Sequence, residues 1–314
     1  MPVTSELKIC VVGAGAIGGW VAARLAGAGN AVMALTSRGP LESIEISEGG
    51  ATDTIRLAQF DGPADVLIVA VKAPALPSVA CSLSPLTAPE TLIIPMLNGV
   101  PWWFVEGHEL KSVDPDGSIA AALPFEQIIG CVVHASCSRS APGRIEVKHA
   151  DKLIIGEPAG AETSDRLARV FALLDEAGLR PDLTGNVRRS IWYKLWGNAT
   201  INPLSALTRA TTDRILADSE CRAWMLEGMA ELAAVGAAIG CPISESGEDR
   251  MAVTARLGAF KTSMLQDVEA GRPIELEALV GAPREIARNL GIETPALDRL
   301  YGVTRLMAEN LGLA

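Results

Sequence analysis

The chain has 314 residues, long for one compact domain and enough for two, each able to build its own core. Apolar residues make up 49% of it and charged residues 20%, the balance of a packed globular protein and not of a disordered one. A formal charge of −10, from 27 Lys and Arg against 37 Asp and Glu, repels a phosphate backbone over most of the surface and argues against nucleic acid as a partner.

The six cysteines have no C-x-x-C spacing and the three histidines, His108, His134 and His149, do not cluster, so neither a metal site nor a disulfide framework is expected. So few histidines also turn attention to other proton donors. No apolar stretch approaches the roughly 18 residues of a membrane span. The opening MPVTSELKICVVGAGAIGG runs into a glycine turn without the features of a leader, so the expected location is the cytoplasm. Apolar helical surfaces such as Met225 to Ile239 leave a homodimer open.

In chain order, Leu7 to Val12 is a short apolar strand ending at Gly13, and Ile17 to Ala28 is a small-residue helix stopped by Gly29. Ala31 to Leu35 follows as a second strand, completing a βαβ unit. Val66 to Val71 and Leu92 to Met96 are apolar on both faces, as parallel strands covered by helices should be. Ile128 to Ile155 changes to alternating, turn-punctuated strands, an antiparallel extension of the sheet, with one more helix at Thr163 to Ala177.

From about Thr184 strand signals vanish. Helices are expected at Asn186 to Ala206, Thr211 to Ile239, around Ala255 to Phe260, Leu276 to Leu290 and Pro295 to Asn310. The fold class is therefore α/β: a Rossmann domain with a doubly wound parallel sheet over residues 1–183, and an all-helical substrate or catalytic domain over residues 184–314.

Gly13-Ala14-Gly15-Ala16-Ile17-Gly18 is a G-x-G-x-x-G set between a strand and a helix. In that context Gly13 permits the tight turn, Gly15 admits a pyrophosphate close to the backbone, and Gly18 lets helix and strand pack closely. The second strand runs into Thr36-Ser37-Arg38 without the carboxylate that holds an NAD ribose, so NADP is favoured over NAD, with Arg38 available to a 2′-phosphate. The alternative for Arg38 is a solvated loop arginine.

Lys72 and Asn98 follow two apolar strands, at the carboxyl edge where such sheets bind ligands. Lys194, Asn198 and Asn202 recur at i, i+4 and i+8, stacking an ammonium and two carboxamides on one helical stripe. Asparagine is a poor residue for a helix interior, so the pair suggests a site, with an interhelical hydrogen-bond network as the alternative. By composition, Thr262 to Asp267 and Gly271 to Glu277 form a polar surface connection between helices.

The glycine fingerprint, V-K-A at 71–73, L-N-G at 97–99, K-x-x-x-N-x-x-x-N-P at 194–203, and S-M-L-Q-D followed by G-R-P-x-E over 263–275 resemble the ketopantoate reductase (2-dehydropantoate 2-reductase) family across nearly the whole chain. The resemblance implies NADPH-dependent reduction of ketopantoate to pantoate in pantothenate and coenzyme A biosynthesis, with a small 2-oxo acid as the partner molecule. It implies that Lys194 is the general acid and that Asn198, Asn202 and Ser263 hold the substrate. Asn98 then lies between substrate and nicotinamide, while Lys72, the Ala135 backbone and Glu275 border the cofactor.

The chemistry agrees, because hydride delivery to a keto carbon builds charge on its oxygen and a cation that can also donate a proton lowers that barrier. Three features depart from the family pattern: Glu277 where Asp is frequent, Thr212 where an asparagine can contact substrate, and the aromatic run Trp102, Trp103, Phe104, expected to reshape the pocket beside Asn98. The alternatives are a reductase of another branched 2-oxo acid, a non-catalytic NADPH sensor, and a hydroxyisobutyrate or phosphogluconate dehydrogenase type.

Overall fold

The computed structural model describes residues 7–256 and 258–313. Residues 1–6, the start of the stretch read for a leader, and Leu257, inside the helix expected at Ala255 to Phe260, lie outside the described residues.

Two compact units divide the chain, one of Met1–Leu97 with Gly117–Ser190 and the other of Asn98–Asp116 with Ile191–Ala314. This differs from a single cut at 183/184. The segment 98–116 joins the second unit because its polar backbone is satisfied there: Val100 N–H donates to the Ala278 carbonyl at 2.8 Å, and the Glu285 carboxylate accepts from Lys111 N–H at 2.9 Å and Ser112 N–H at 2.8 Å.

Among the described residues the first unit holds ten strands: β1 (Lys8–Val12), β2 (Ala31–Thr36), β3 (Gly39–Pro40), β4 (Ser43–Glu48), β5 (Ala51–Arg56), β6 (Val66–Val69), β7 (Leu92–Pro95), β8 (Gly130–Ala141), β9 (Arg144–Gly156) and β10 (Pro181–Leu183). Its helices are α1 (Ala16–Gly27), α2 (Leu76–Ala80), α3 (Ser118–Ala122) and α4 (Asp165–Glu176), the last started by Ser164, whose hydroxyl accepts from Leu167 N–H.

Strands β2, β1, β6 and β7 lie side by side and parallel, with β3 antiparallel at the edge of β2. The chain steps from β1 to β2 on one side and then crosses to β6 on the other, so the strand order reverses at the β1/β6 boundary, the place where a Rossmann sheet opens its ligand crevice. β6 and β7 are buried at every residue, as helix-covered parallel strands must be.

The expectation that residues 128–155 extend this sheet is corrected. β8 and β9 pair antiparallel, but with β4, β5 and β10 they form a second sheet, bridged to the first at Ile93 and Ile128. The hairpin β4–β5 that recruits β9 went unread in the sequence, since β5 (ATDTIR) is almost entirely exposed and carries no apolar alternation. Helix α1 packs on β1 and β2 and also on β4, β5, β8 and β9. Two adjacent glycines permit this: a Cβ on Gly18 would overlap the Gly13 carbonyl oxygen, and one on Gly19 would lie 2.6 Å from Ile145 Cδ1.

In the second unit the described residues contain helices and no strand: α5 (Val187–Thr208), whose first four residues belong to the first unit, then α6 (Thr212–Ala217), α7 (Ser219–Ala238), α8 (Gly247–Ala255), α9 (Ser263–Glu269), a π-turn at Glu277–Gly281, α10 (Ala282–Asn289) and α11 (Pro295–Leu311). The expected helix over 211–239 is two helices, because the Asp218 carboxylate accepts from Glu220 and Cys221 N–H and starts α7 afresh. The helix expected around 255–260 is instead α8, which ends at Ala255. Trp192 and Trp196 anchor the core, their buried indole N–H groups donating to the carbonyls of Leu232 at 3.0 Å and Met229 at 2.7 Å. Among the described residues no helix is long and apolar enough to cross a membrane.

Candidate active site

In the first unit the glycine fingerprint forms a tight cradle at the end of β1. Gly13 has φ +92°, and its N–H and that of Ala14 both donate to the Leu35 carbonyl at 3.0 Å, folding the turn over the end of β2. A side chain at Gly13 would strike Val71 N at 2.7 Å and the Ala70 carbonyl carbon at 2.8 Å, so the turn is pressed against the end of β6 just before Lys72. Gly15, the residue before α1, has no close neighbour on its open side beyond the Gly13 oxygen at 3.8 Å, and it brings no side chain to cap the helix. The first turn, Ala16, Ile17 and Gly18, thus begins at an N-terminus with no side-chain cap, leaving backbone N–H donors that fit a pyrophosphate.

Arg38 is exposed in the turn after β2, where its N–H donates to Thr36 Oγ1 at 3.1 Å and Thr36 Oγ1 donates to the Gly39 carbonyl at 2.9 Å. Lys72 is exposed and precedes the short 3-10 turn Ala73–Ala75. Ala135 is half-buried on β8, at a bulge where its pairing with β9 slips by one residue.

In the second unit, three residues far apart in sequence come together. The Lys194 Nζ on α5 donates to Asn98 Oδ1 at 3.0 Å, and Asn98 Nδ2 donates to Glu275 Oε2 at 3.3 Å. The carboxamide is therefore oriented from both ends, its oxygen toward the ammonium and its nitrogen toward a carboxylate on a residue only 6% exposed. Gly99 allows the turn that presents Asn98: it has φ +80°, and a Cβ there would come within 2.5 Å of the Ala278 carbonyl carbon.

Asn198 is half-buried and Asn202 is 4% exposed, one and two turns along α5 from Lys194. Ser263 is the exposed first residue of α9, which Thr262 caps by accepting from Leu265 N–H at 3.2 Å.

Three readings of the sequence change here. The segment 263–275 is no loose surface connection, since Met264, Leu265, Val268 and Ile274 are buried and the buried Asp267 accepts from Arg272 Nε at 3.0 Å. Trp102, Trp103 and Phe104 are buried in the core of the second unit, with Phe104 stacked on Trp192 at 5.8 Å. Thr212 ties two backbone segments together, donating to the Gly258 carbonyl at 2.8 Å and accepting from Phe260 N–H at 3.3 Å. Sequence reasoning missed Ala278 altogether, because a carbonyl acting through its backbone leaves no signal in residue type.

Two family models match the chain: ketopantoate reductase PanE/ApbA over residues 9–160, and the C-terminal part of the same family over residues 186–308. The chain belongs to the ketopantoate reductase family. It is an oxidoreductase of an NAD(P)-dependent class. A 2-dehydropantoate 2-reductase of Mesorhizobium japonicum is 36% identical over 98% of this chain and 99% of its own.

Among solved structures, a candidate ketopantoate reductase of Ralstonia solanacearum is 49% identical, covering 99% of this chain and 100% of that one with a TM-score of 0.93. The 2-dehydropantoate 2-reductase of Methylococcus capsulatus is 29% identical, covering 98% and 99%, with a TM-score of 0.82. These family members share the Rossmann sheet and the helical C-terminal part described above. Among the described residues no group of three or more His, Cys, Asp or Glu is placed to hold a metal ion.

Proposed function

We propose that this protein reduces 2-dehydropantoate to pantoate with NADPH, a step toward pantothenate and coenzyme A, and that Lys194 is the general acid. The observation that carries this reading is the ammonium of Lys194 held 3.0 Å from Asn98 Oδ1, with Glu275 behind it. Membership of the family and the 36% identity to a 2-dehydropantoate 2-reductase support the substrate.

When bound, NADPH supplies the hydride for the C2 carbonyl carbon. As that carbon becomes tetrahedral its oxygen gains negative charge, which the Lys194 ammonium stabilises before donating a proton to it from Nζ, leaving a hydroxyl on the product and a neutral amine on the enzyme. Asn98 accepts one ammonium hydrogen and so sets the direction of the side chain. The Glu275 carboxylate polarises the amide from its other end and strengthens that hold. Asn198, Asn202 and Ser263 offer neutral donors to the substrate's carboxylate and hydroxyl without competing for the proton.

On the cofactor side, the cradle of Gly13, Ala14, Gly15, Ala16, Ile17 and Gly18 takes the pyrophosphate, and Lys72 and the Ala135 backbone of the same unit border the cofactor. Arg38 takes the 2′-phosphate: β2 ends at Thr36 and the turn continues with Ser37-Arg38, a cation and hydroxyls where an NAD enzyme keeps a carboxylate. A cytoplasmic location belongs to the same reading.

The test follows NADPH oxidation with ketopantoate, 2-oxoisovalerate and a small panel of other 2-oxo acids, with Lys194→Ala as the control. Strong preference for ketopantoate that collapses in the variant is the expected result. Preference for a different acid would reassign the pathway, and an unimpaired variant would remove Lys194 from the mechanism.

A further inference from the structure

The turn that carries Asn98 rests on an element whose own anchor lies outside the site. Val100 N–H donates to the carbonyl of Ala278 at 2.8 Å, and Gly99 packs directly on that same peptide. Ala278 is the second residue of the π-turn Glu277–Gly281, one register wider than an α-helical turn and so held by what surrounds it and not by helix propensity.

Glu277 opens the π-turn, and its Oε1 accepts from the Tyr301 hydroxyl of α11 at 2.6 Å. Its carboxylate folds back over Gly281, where any side chain would overlap Glu277 Oε2. Tyr301 is itself pinned: the Arg284 guanidinium sits 4.0 Å from the centre of its ring, and Arg284 Nε donates to Asp298 Oδ1 at 2.6 Å. Burial, with the hydrogen bond to Glu277, pushes the phenol up to about 12, so it keeps its proton and remains a donor.

We propose that Tyr301 is a positioning residue for the reduction. It holds Glu277, Glu277 holds the π-turn, and the Ala278 peptide in that turn sets the Asn98 carboxamide against the Lys194 ammonium. Neither Tyr301 nor Glu277 touches the reacting atoms. The inference rests on the reading of Lys194 as proton donor, and it adds a control on catalytic efficiency from a helix that carries no residue of the site.

The test is steady-state kinetics on four variants beside Lys194→Ala. Tyr301→Phe keeps the ring and the Arg284 stacking, so it folds; it is expected to lower kcat roughly tenfold while leaving the KM for the 2-oxo acid nearly unchanged, since a small misplacement of a catalytic group acts on the chemical step. Glu277→Gln retains an acceptor for the phenol and should keep wild-type kcat. Glu277→Ala should lose as much as Tyr301→Phe, and the double variant Tyr301→Phe with Glu277→Ala should lose no more than either alone.

Wild-type kcat in Tyr301→Phe, or losses that multiply in the double variant, would overturn the proposal while a collapsed Lys194→Ala leaves the general-acid reading intact. Full activity in Lys194→Ala would overturn both.

Discussion

Asn98 and Lys194 stand 96 residues apart in the chain and one hydrogen bond apart in the fold, 3.0 Å from amide oxygen to ammonium. Removing either end has different consequences. Lys194→Ala deletes the proton donor and should lower kcat by about 10²–10⁴-fold. Asn98→Ala leaves the donor but lets it wander, and should cost roughly a hundredfold or less. Both variants should still bind NADPH, as read by cofactor fluorescence, and loss of binding in step with kcat would contradict the assignment.

The fingerprint glycines separate stability from cofactor binding. A Cβ on Gly18 overlaps the Gly13 carbonyl and meets Ala70 Cβ at 2.9 Å, so Gly18→Ala should destabilise the protein by about 1–3 kcal/mol as well as weaken the cofactor. A Cβ on Gly15 meets only the Gly13 oxygen at 3.8 Å, so Gly15→Ala should unfold like the wild type and yet raise the KM for NADPH. Denaturant unfolding and NADPH titration on the pair decide the matter, and equal destabilisation would refute the distinction.

Arg38 is exposed and its backbone, not its guanidinium, is held by Thr36. Charge-assisted hydrogen bonds contribute about 1.5–3 kcal/mol. Arg38→Ala should therefore weaken NADPH roughly ten- to hundredfold and leave NADH unchanged. An equal effect on the two cofactors would show that Arg38 does not read the 2′-phosphate.

Glu157, at 4% exposure, accepts from the Ser164 hydroxyl and from Arg166, including Arg166 Nε at 2.9 Å. Burial alone would raise its pKa, but the hydrogen bonds from Arg166 and Ser164 and the Arg166 charge outweigh it and hold the carboxyl below the usual 4.5. With the folded pKa depressed, the stabilisation is complete above about pH 4.5 and fades as the pH falls through the lower folded value. Arg166→Ala should cost about 2–3 kcal/mol at neutral pH, and the gap to wild type should narrow in acid. Urea melts at the two pH values check it; a gap that stays constant would contradict the linkage.

Cysteine reactivity should follow burial. Cys10 and Cys137 are both pushed up to about 12 by burial, whereas Cys81 is exposed. Iodoacetamide on the native protein should label Cys81 well before these two, which should react only after unfolding, as peptide mass spectrometry would show. Early labelling of Cys10 would mean that β1 opens readily.

Much of this molecule is written locally. The G-x-G-x-x-G between an apolar strand and a helix determines the Rossmann turn, because only glycine fits against Val71, Ala70 and the Gly13 carbonyl. The apolar runs determine β6 and β7, and the four-residue spacing determines that Lys194, Asn198 and Asn202 share a stripe of α5. Periodicity and sterics act within a few residues, so a single sequence reveals them.

The tertiary structure decided the rest. It sent β8 and β9 to a second sheet by way of a hairpin whose second strand is too polar to read, and it joined residues 98–116 to the helical unit through the Glu285 carboxylate and the Ala278 carbonyl. It also seated Asn98 between Lys194 and Glu275 and buried Trp102, Trp103 and Phe104 in the core. Each of these depends on hydrogen bonds or packing between residues tens to hundreds of positions apart, some made through backbone groups that every residue carries and others between side chains whose partners the local pattern does not name. Residue type at one position cannot encode such a partner; only the closed chain brings the two together.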